Sequence, residues 1–491
     1  MAQELPHLGD VMLGSGVGSV PIAGSRARPM RRHGTVNGAY YLDGQNLRIQ
    51  ASLSSESGTI VYAIEPAIAP RTDPGKAVDL AQQRTLGAIV AWLDPDLGRL
   101  IRPPLYSAYR EYKAGLAVFA DDPVKAIAYS TRAIELDPTF FTARYLNAFA
   151  YRNMGNLTSA RAAVERMSAM ADRWSPAERA KLAFLASTNE GRVTEALRAL
   201  KEAEELEPAD LSTNYLIGLY CVRLNRPQEA IDQYNKVNAD AWNEVTVGTW
   251  RYARLATANH LLGRHDEELR VATIARTLFP TSFVSRTDEL TALAALGRTD
   301  NLGRAVDETL AIAVSASGTP GGSIRAAAED LRAHGRPVES IALARRAVAW
   351  YRARPADFLT AAPNRFALAM SLYVAEEWAD AGAIASALIK EQPGSSAYNA
   401  LAGAIAARTG DRATAMQRSA ALSQLPSEPD GTVELRRAQL AALLGQREQA
   451  VELLRDAFAR GLSMSTGLHR QMDLEPLRGF APFDDLMRPK G

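Results

Sequence analysis

The stretch "DDPVKAIAYSTRAIELDP", Asp121–Pro138, decides how the chain is read. It opens on a turn and carries small residues at Ala126 and Ala133. It ends on Pro138, which cannot continue a helical hydrogen-bond ladder. Its turn returns along the chain: "GNLTSA" at Gly155, "GRVTEA" at Gly191, "NRPQEA" at Asn225, "GRHDEE" at Gly263 and "GRTDNL" at Gly297. "GRPVES" follows at Gly335, "EEWADA" at Glu376, "GDRATA" at Gly410 and "GQREQA" at Gly445. The spacing runs from the mid-thirties to about forty, inside the roughly 20–50 residues that mark a solenoid.

Small residues precede most of the turns, at Gly115, Ala148, Gly218, Ala256, Ala328, Ala369, Gly403 and Ala438. Others follow it, at Ala126, Ala160, Ala196, Ala230, Ala381, Ala415 and Ala450, and a later alanine recurs at Ala133, Ala203, Ala275, Ala347 and Ala457. Small side chains let paired helices approach, a turn glycine supplies positive φ, and Pro138, Pro208, Pro280 and Pro393 end second helices. In this pattern the units resemble tetratricopeptide repeats (TPR). The resemblance implies a mainly α fold, a right-handed TPR α-solenoid of about ten helix pairs over residues 105–460. Phe184 and Leu290 are bulky where the pattern wants small residues, and the turns at Asn225 and Glu376 lack glycine.

Ahead of the array, "NGAYYLDGQNLRIQASLSSESGTIVYAIEP", Asn37–Pro66, predicts three strands. They fall at about Thr35–Leu42, Leu47–Leu53 and Thr59–Glu65, with Asp43-Gly44 as the first tight turn. Pro66, Pro70 and Pro74 close the sheet, and a helix follows over about Lys76–Leu93 with Val78, Leu86, Ile89, Val90 and Leu93 on its inner stripe. Residues 35–104 therefore form a small β-rich α/β module. Residues 1–34 are expected to be loop or a partial N-terminal segment, and 461–491 a tail whose Phe480 and Phe483 cap the last helix pair. The order of hairpin, "RPPLYSAYREYKAGLAVF" and "LEPLRGFAPFDDLMRPKG" is similar to the C-terminal, sensing half of bacterial regulators with an upstream serine/threonine kinase or winged-helix DNA-binding domain. That resemblance implies a signalling role.

Composition narrows the chemistry. With 56 basic and 55 acidic residues, net charge +1, there is no electrostatic footprint for nucleic acid or an anionic membrane. Cys221 stands alone, which rules out an internal disulfide or a cysteine-based zinc site and suits a buried thiol in a cytoplasmic chain. "GSGVG", Gly14–Gly18, lacks the strand and the Gly-Lys-Ser/Thr of a phosphate loop. The sequence blocks of a kinase and the G-x-S-x-G elbow are missing. The six histidines are His7, His33, His260, His265, His334 and His469. His260 and His265 flank a turn and are expected to be solvated or hydrogen-bonded, without a metal. No catalytic residue, cofactor or metal is expected.

The expected function is that of a protein-interaction scaffold, with a protein or peptide partner and no membrane insertion; self-association is left open. The TPR resemblance implies a groove lined by first helices, here Tyr145, Phe149, Arg152, Tyr215, Leu219, Arg223, Trp250 and His260. Aromatic and arginine side chains suit binding hot spots. The asparagine with which many TPRs grip peptide backbone is replaced by Leu146, Leu182, Leu216, Arg254, Ala326, Ala367, Leu401 and Arg436.

Overall fold

The computed structural model describes residues 18–22, 33–97, 100–120, 122–243, 247–315, 318–425 and 431–490. His7, most of "GSGVG" and Ser25–Arg32 lie outside them. From Tyr106 onward the described residues form helix pairs. They begin with Tyr106–Val118/Pro123–Leu136, Phe141–Asn153/Leu157–Ser168, Pro176–Asn189/Val193–Leu206, Leu211–Arg223/Pro227–Asn235 and Gly248–Leu261/His265–Leu278. They continue with Phe283–Ala295/Thr299–Leu310, Pro320–Ala333/Pro337–Arg352, Ala362–Val374/Trp378–Glu391, Ser396–Arg408/Arg412–Ser423 and Thr432–Leu443/Arg447–Ala459. This is a TPR-like solenoid.

The turns show why the pattern works. Gly155, Gly191, Gly263, Gly297, Gly335, Gly410 and Gly445 all have φ between 65° and 85°. Where glycine is missing, Asn225 (φ 58°) and Glu376 (φ 61°) take the same left-handed conformation. The small positions are equally explicit. A Cβ added to Gly218 would come within 2.4 Å of the Tyr234 ring, which is fully buried. The bulky exceptions, Phe184 and Leu290, are both fully buried, so they fill the space between helices.

Two compact units emerge. The first holds the described residues up to Asn189 with Arg198–Thr213; the second holds Glu190–Leu197, Asn214–Asn243 and the chain from Val247 on.

In the first unit an antiparallel sheet has the order β1 (Gly18–Ile22), β2 (Gly34–Asp43), β3 (Asn46–Ser55), β4 (Ile60–Pro70). β1 is a strand where the sequence predicts loop; it supplies a fourth edge, pairing Val20 with Val36. The first turn sits one residue later than predicted. Asp43 pairs with Asn46, so Gly44 and Gln45 are central and only Gly44 (φ 59°) has positive φ, the pattern of a II′ turn. Pro66 does not close the sheet. β4 runs on to Pro70, because Pro66 falls at a register shift opposite Ile49–Ala51, on an edge strand where a missing N–H costs nothing.

Helix α1 (Pro74–Leu93) packs on this sheet around Leu53, Ile64, Leu86, Ile89, Val90 and Tyr106. Leu86, Ile89 and Val90 of the predicted stripe are buried, while Val78 is exposed and Ala77 takes the inner place at the first turn. Among the described residues, no helix is long and apolar enough to cross a membrane.

Candidate functional site

Helix Phe141–Asn153 places Phe141, Tyr145 and Phe149 four residues apart, one above another on a single face. Their ring centroids are 5.9 and 6.0 Å apart. Phe184, from helix Pro176–Asn189, stacks against Tyr145 at 6.5 Å and Phe149 at 6.3 Å. Phe119 extends the cluster at 6.1 Å from Phe149, and Trp174 meets Phe141 at 5.3 Å. Tyr145 and Phe149 remain half-buried, as does Arg152 one turn further on. The Arg152 Nε has no hydrogen-bond partner among the described residues. Three of the eight predicted groove residues thus sit on one helix face. Leu146, which stands where a peptide-gripping asparagine would, is buried, as are Leu182, Leu216, Ala326 and Leu401.

The other five belong to the second unit and have different surroundings. Leu219 and Trp250 are half-buried, and Tyr215 is buried with its carbonyl accepting from Tyr234 Oη at 3.3 Å. Arg223 lies over the Tyr220 ring and donates through Nε to Ser463 Oγ at 2.7 Å. His260 is fully buried, so it does not line an open groove as predicted.

Ser463 belongs to the C-terminal tail, residues 461–491. The tail crosses the C-terminal ends of the first helices of several pairs in the second unit. Asn225 Nδ2 donates to the Met487 and Arg488 carbonyls at 3.1 and 2.8 Å, and the Lys490 N–H donates to the Asn225 carbonyl at 2.7 Å. Arg332 Nε donates to Glu475 at 3.2 Å, and Arg408 Nη2 to the Met472 carbonyl at 2.9 Å. Phe483 is buried in a cleft of about 400 Å³ that it lines with His334, His469 and Arg478.

Behind that cleft four histidines gather. His260 ends one helix and His265 begins the next; His334 caps Pro320–Ala333, and His469 lies in the tail. Ring centroids are 5.1 Å apart for His260–His265, 4.9 Å for His265–His334 and 5.5 Å for His260–His469. Glu268 and Asp330, both buried, stand among them. His260 Nδ1 is 3.1 Å from both Glu268 oxygens, and His265 Nδ1 is 2.9 Å from Glu268 Oε2. His334 Nδ1 is 3.0 Å from Asp330 Oδ1.

Burial pushes the His260 pKa down, but the Glu268 hydrogen bond and the Asp330 charge outweigh it and leave the imidazole above its ordinary value. The Asp330 contact raises His334. Burial and the neighbouring His260 lower His469. Of the surroundings expected for His260 and His265, solvated or hydrogen-bonded, the second is found, with His260 buried and His265 half-buried. His334, His469, Glu268 and Asp330 escaped the sequence reading. One signal was available: His260, His265 and His334 all lie within three residues of a turn glycine, Gly263 or Gly335, and so at the same edge of their pairs.

No protein-family model matches the chain, and no curated protein matches it. Solved structures with a similar arrangement include a tetratricopeptide repeat protein from Parabacteroides merdae, 13% identical, covering 54% of this chain and 99% of that one at a TM-score of 0.32. Yeast Tom70 is 12% identical over 72% of this chain and 88% of its own, TM-score 0.30. The human IFIT1 dimer with PPP-AAAA is 13% identical over 80% and 84%, TM-score 0.30.

Proposed function

We propose that the chain is a non-catalytic protein-interaction scaffold, and that the aromatic face of its first unit receives a segment of a protein partner. One observation carries this reading. Tyr145, Phe149 and Arg152 lie half-buried on one helix face, backed by the buried Phe184 ring. Rigid aromatic rings lose little entropy on binding, and a guanidinium beside them recognises a carboxylate. The partner segment is accordingly apolar with an acidic flank. Alanine at Tyr145, Phe149 and Arg152 together tests it: partners recovered with the wild-type chain are lost. Retention of every partner would sink the reading.

A second reading draws on the sheet that precedes the helix pairs. The chain would then be the partner- or ligand-sensing half of a bacterial signalling regulator with an effector encoded upstream. An in-frame kinase or DNA-binding domain in the DNA before Met1 would favour it, and a stop codon there would remove it.

A further inference from the structure

The histidine cluster has the makings of a ligand site rather than of a closed hydrogen-bond network. A closed network leaves no buried polar atom over. Here His260, with no exposed surface, has an Nε2 without a hydrogen-bond partner among the described residues, and the same holds for Asp330 Oδ2, which lies 4.0 Å from His260 Nδ1. An unpaired polar atom in such a place keeps its full desolvation penalty unless something else binds it.

The donor set and its spacing identify what would. His260, His265 and Glu268 each offer a ligand atom, and these atoms lie within 4.8 Å of one another. His260 Nδ1 and His265 Nδ1 both meet the Glu268 carboxylate, at 3.1 and 2.9 Å, so the three groups converge on one small volume. Imidazole nitrogen with carboxylate oxygen, and no thiolate, suits a divalent first-row transition ion.

The outer contacts are those such a site needs. Thr291 Oγ1 donates to Glu268 Oε1 at 3.5 Å, and Asp330 holds His334 Nδ1, which leaves the His334 Nε2 for a metal. Arg470, the nearby cation that would oppose an ion, is engaged by Glu329 at 3.3 Å. His334 and His469 line the 400 Å³ cleft, which provides a way in.

We propose that His260, His265 and Glu268, with His334 as the fourth ligand, bind one zinc-class divalent ion beside the cleft that His334 lines. The test uses the untagged full-length chain, stripped with a chelator and titrated with ZnCl2 by calorimetry, with MgCl2 as the control. One equivalent of zinc is expected to bind and magnesium is not. His265→Ala and His334→Ala, each with unchanged helical circular dichroism, are expected to weaken zinc binding by about tenfold or more. Absence of saturable zinc uptake would overturn the proposal, as would variants that bind as tightly as the wild type, or equal uptake of magnesium. If the variants do not fold, the visible spectrum of the wild-type chain with cobalt(II) decides. Ligand-field bands of a four-coordinate nitrogen–oxygen site are expected, and a spectrum unchanged from aqueous cobalt(II) overturns the proposal.

Discussion

Tyr373 Oη donates to Asp473 Oδ1 at 2.5 Å across 100 positions of sequence. Both residues are buried, and Arg408 Nη2 reaches the same carboxylate at 3.5 Å. The pair fixes the C-terminal tail to a first helix in the middle of the second unit. With the Arg223–Ser463 and Asn225–Arg488 contacts, it makes the tail an integral layer of that unit.

Tyr373→Phe removes the donor and leaves a buried carboxylate with fewer partners. The expected loss is about 1–3 kcal/mol of unfolding free energy. Trypsin is expected to cut sooner at Arg470 and Arg478 than in the wild type. Unchanged cleavage rates at these sites would show that the tail is held elsewhere.

Asn225 has two roles that substitutions separate. Its φ of 58° favours glycine, while its side chain carries two hydrogen bonds to the tail. Asn225→Gly loses only the bonds; Asn225→Ala loses the bonds and adds strain of about 1 kcal/mol. Thermal unfolding is expected to rank wild type above the glycine variant and the glycine variant above alanine. Equal melting of the two variants would remove backbone strain from the account.

In the first unit Lys181 Nζ sits 2.7 Å from Asp210 Oδ2 and 3.1 Å from Glu207 Oε2. Burial would raise the Asp210 pKa, but the Lys181 charge and hydrogen bonds from Thr213 and Ser212 hold it below the ordinary carboxylate value. A depressed folded-state pKa gives stability that is present above the unfolded value of about 3.9 and is lost as pH falls below it. Lys181 is raised, since its two carboxylates outweigh burial, so its share is present below about 10.4 and lost only at higher pH. Lys181→Met is expected to cost about 3–5 kcal/mol at neutral pH by leaving buried charge uncompensated. Urea midpoints measured from about pH 3 to about pH 11 check both statements. A variant that tracks the wild type throughout would contradict them.

Gly218→Ala drives a methyl into the Tyr234 ring, at 2.4 Å before relaxation. Tyr234 is walled in by Tyr215 and Trp242 and has little room to turn. Overpacking of this kind costs about 1–3 kcal/mol. A melting temperature equal to that of the wild type would show that the pair is looser than described.

The array was legible because its devices are local. A glycine or its substitute ends the first helix, as at Gly155 and Asn225, and a small residue marks each close approach, as at Gly218. The sheet was legible up to Pro66, where a register shift let the strand continue past a residue that usually stops one. The Tyr145–Phe149 spacing was visible as a helix face, but Phe184, which backs it, read only as a misfit. The histidine cluster was hidden because its members come from separate helices and the tail, and nothing in their spacing along the chain brings His469 to His260.

The central claim, that the Tyr145–Arg152 face receives a partner, is tested most directly by photocrosslinking in the cells that make this protein. Benzoylphenylalanine would replace Phe149 in one chain and the exposed Met416 in another. The account predicts a discrete crosslinked protein product from position 149 that disappears when Arg152→Ala is added, and none from position 416. No product at 149, or the same products at both positions, would contradict it.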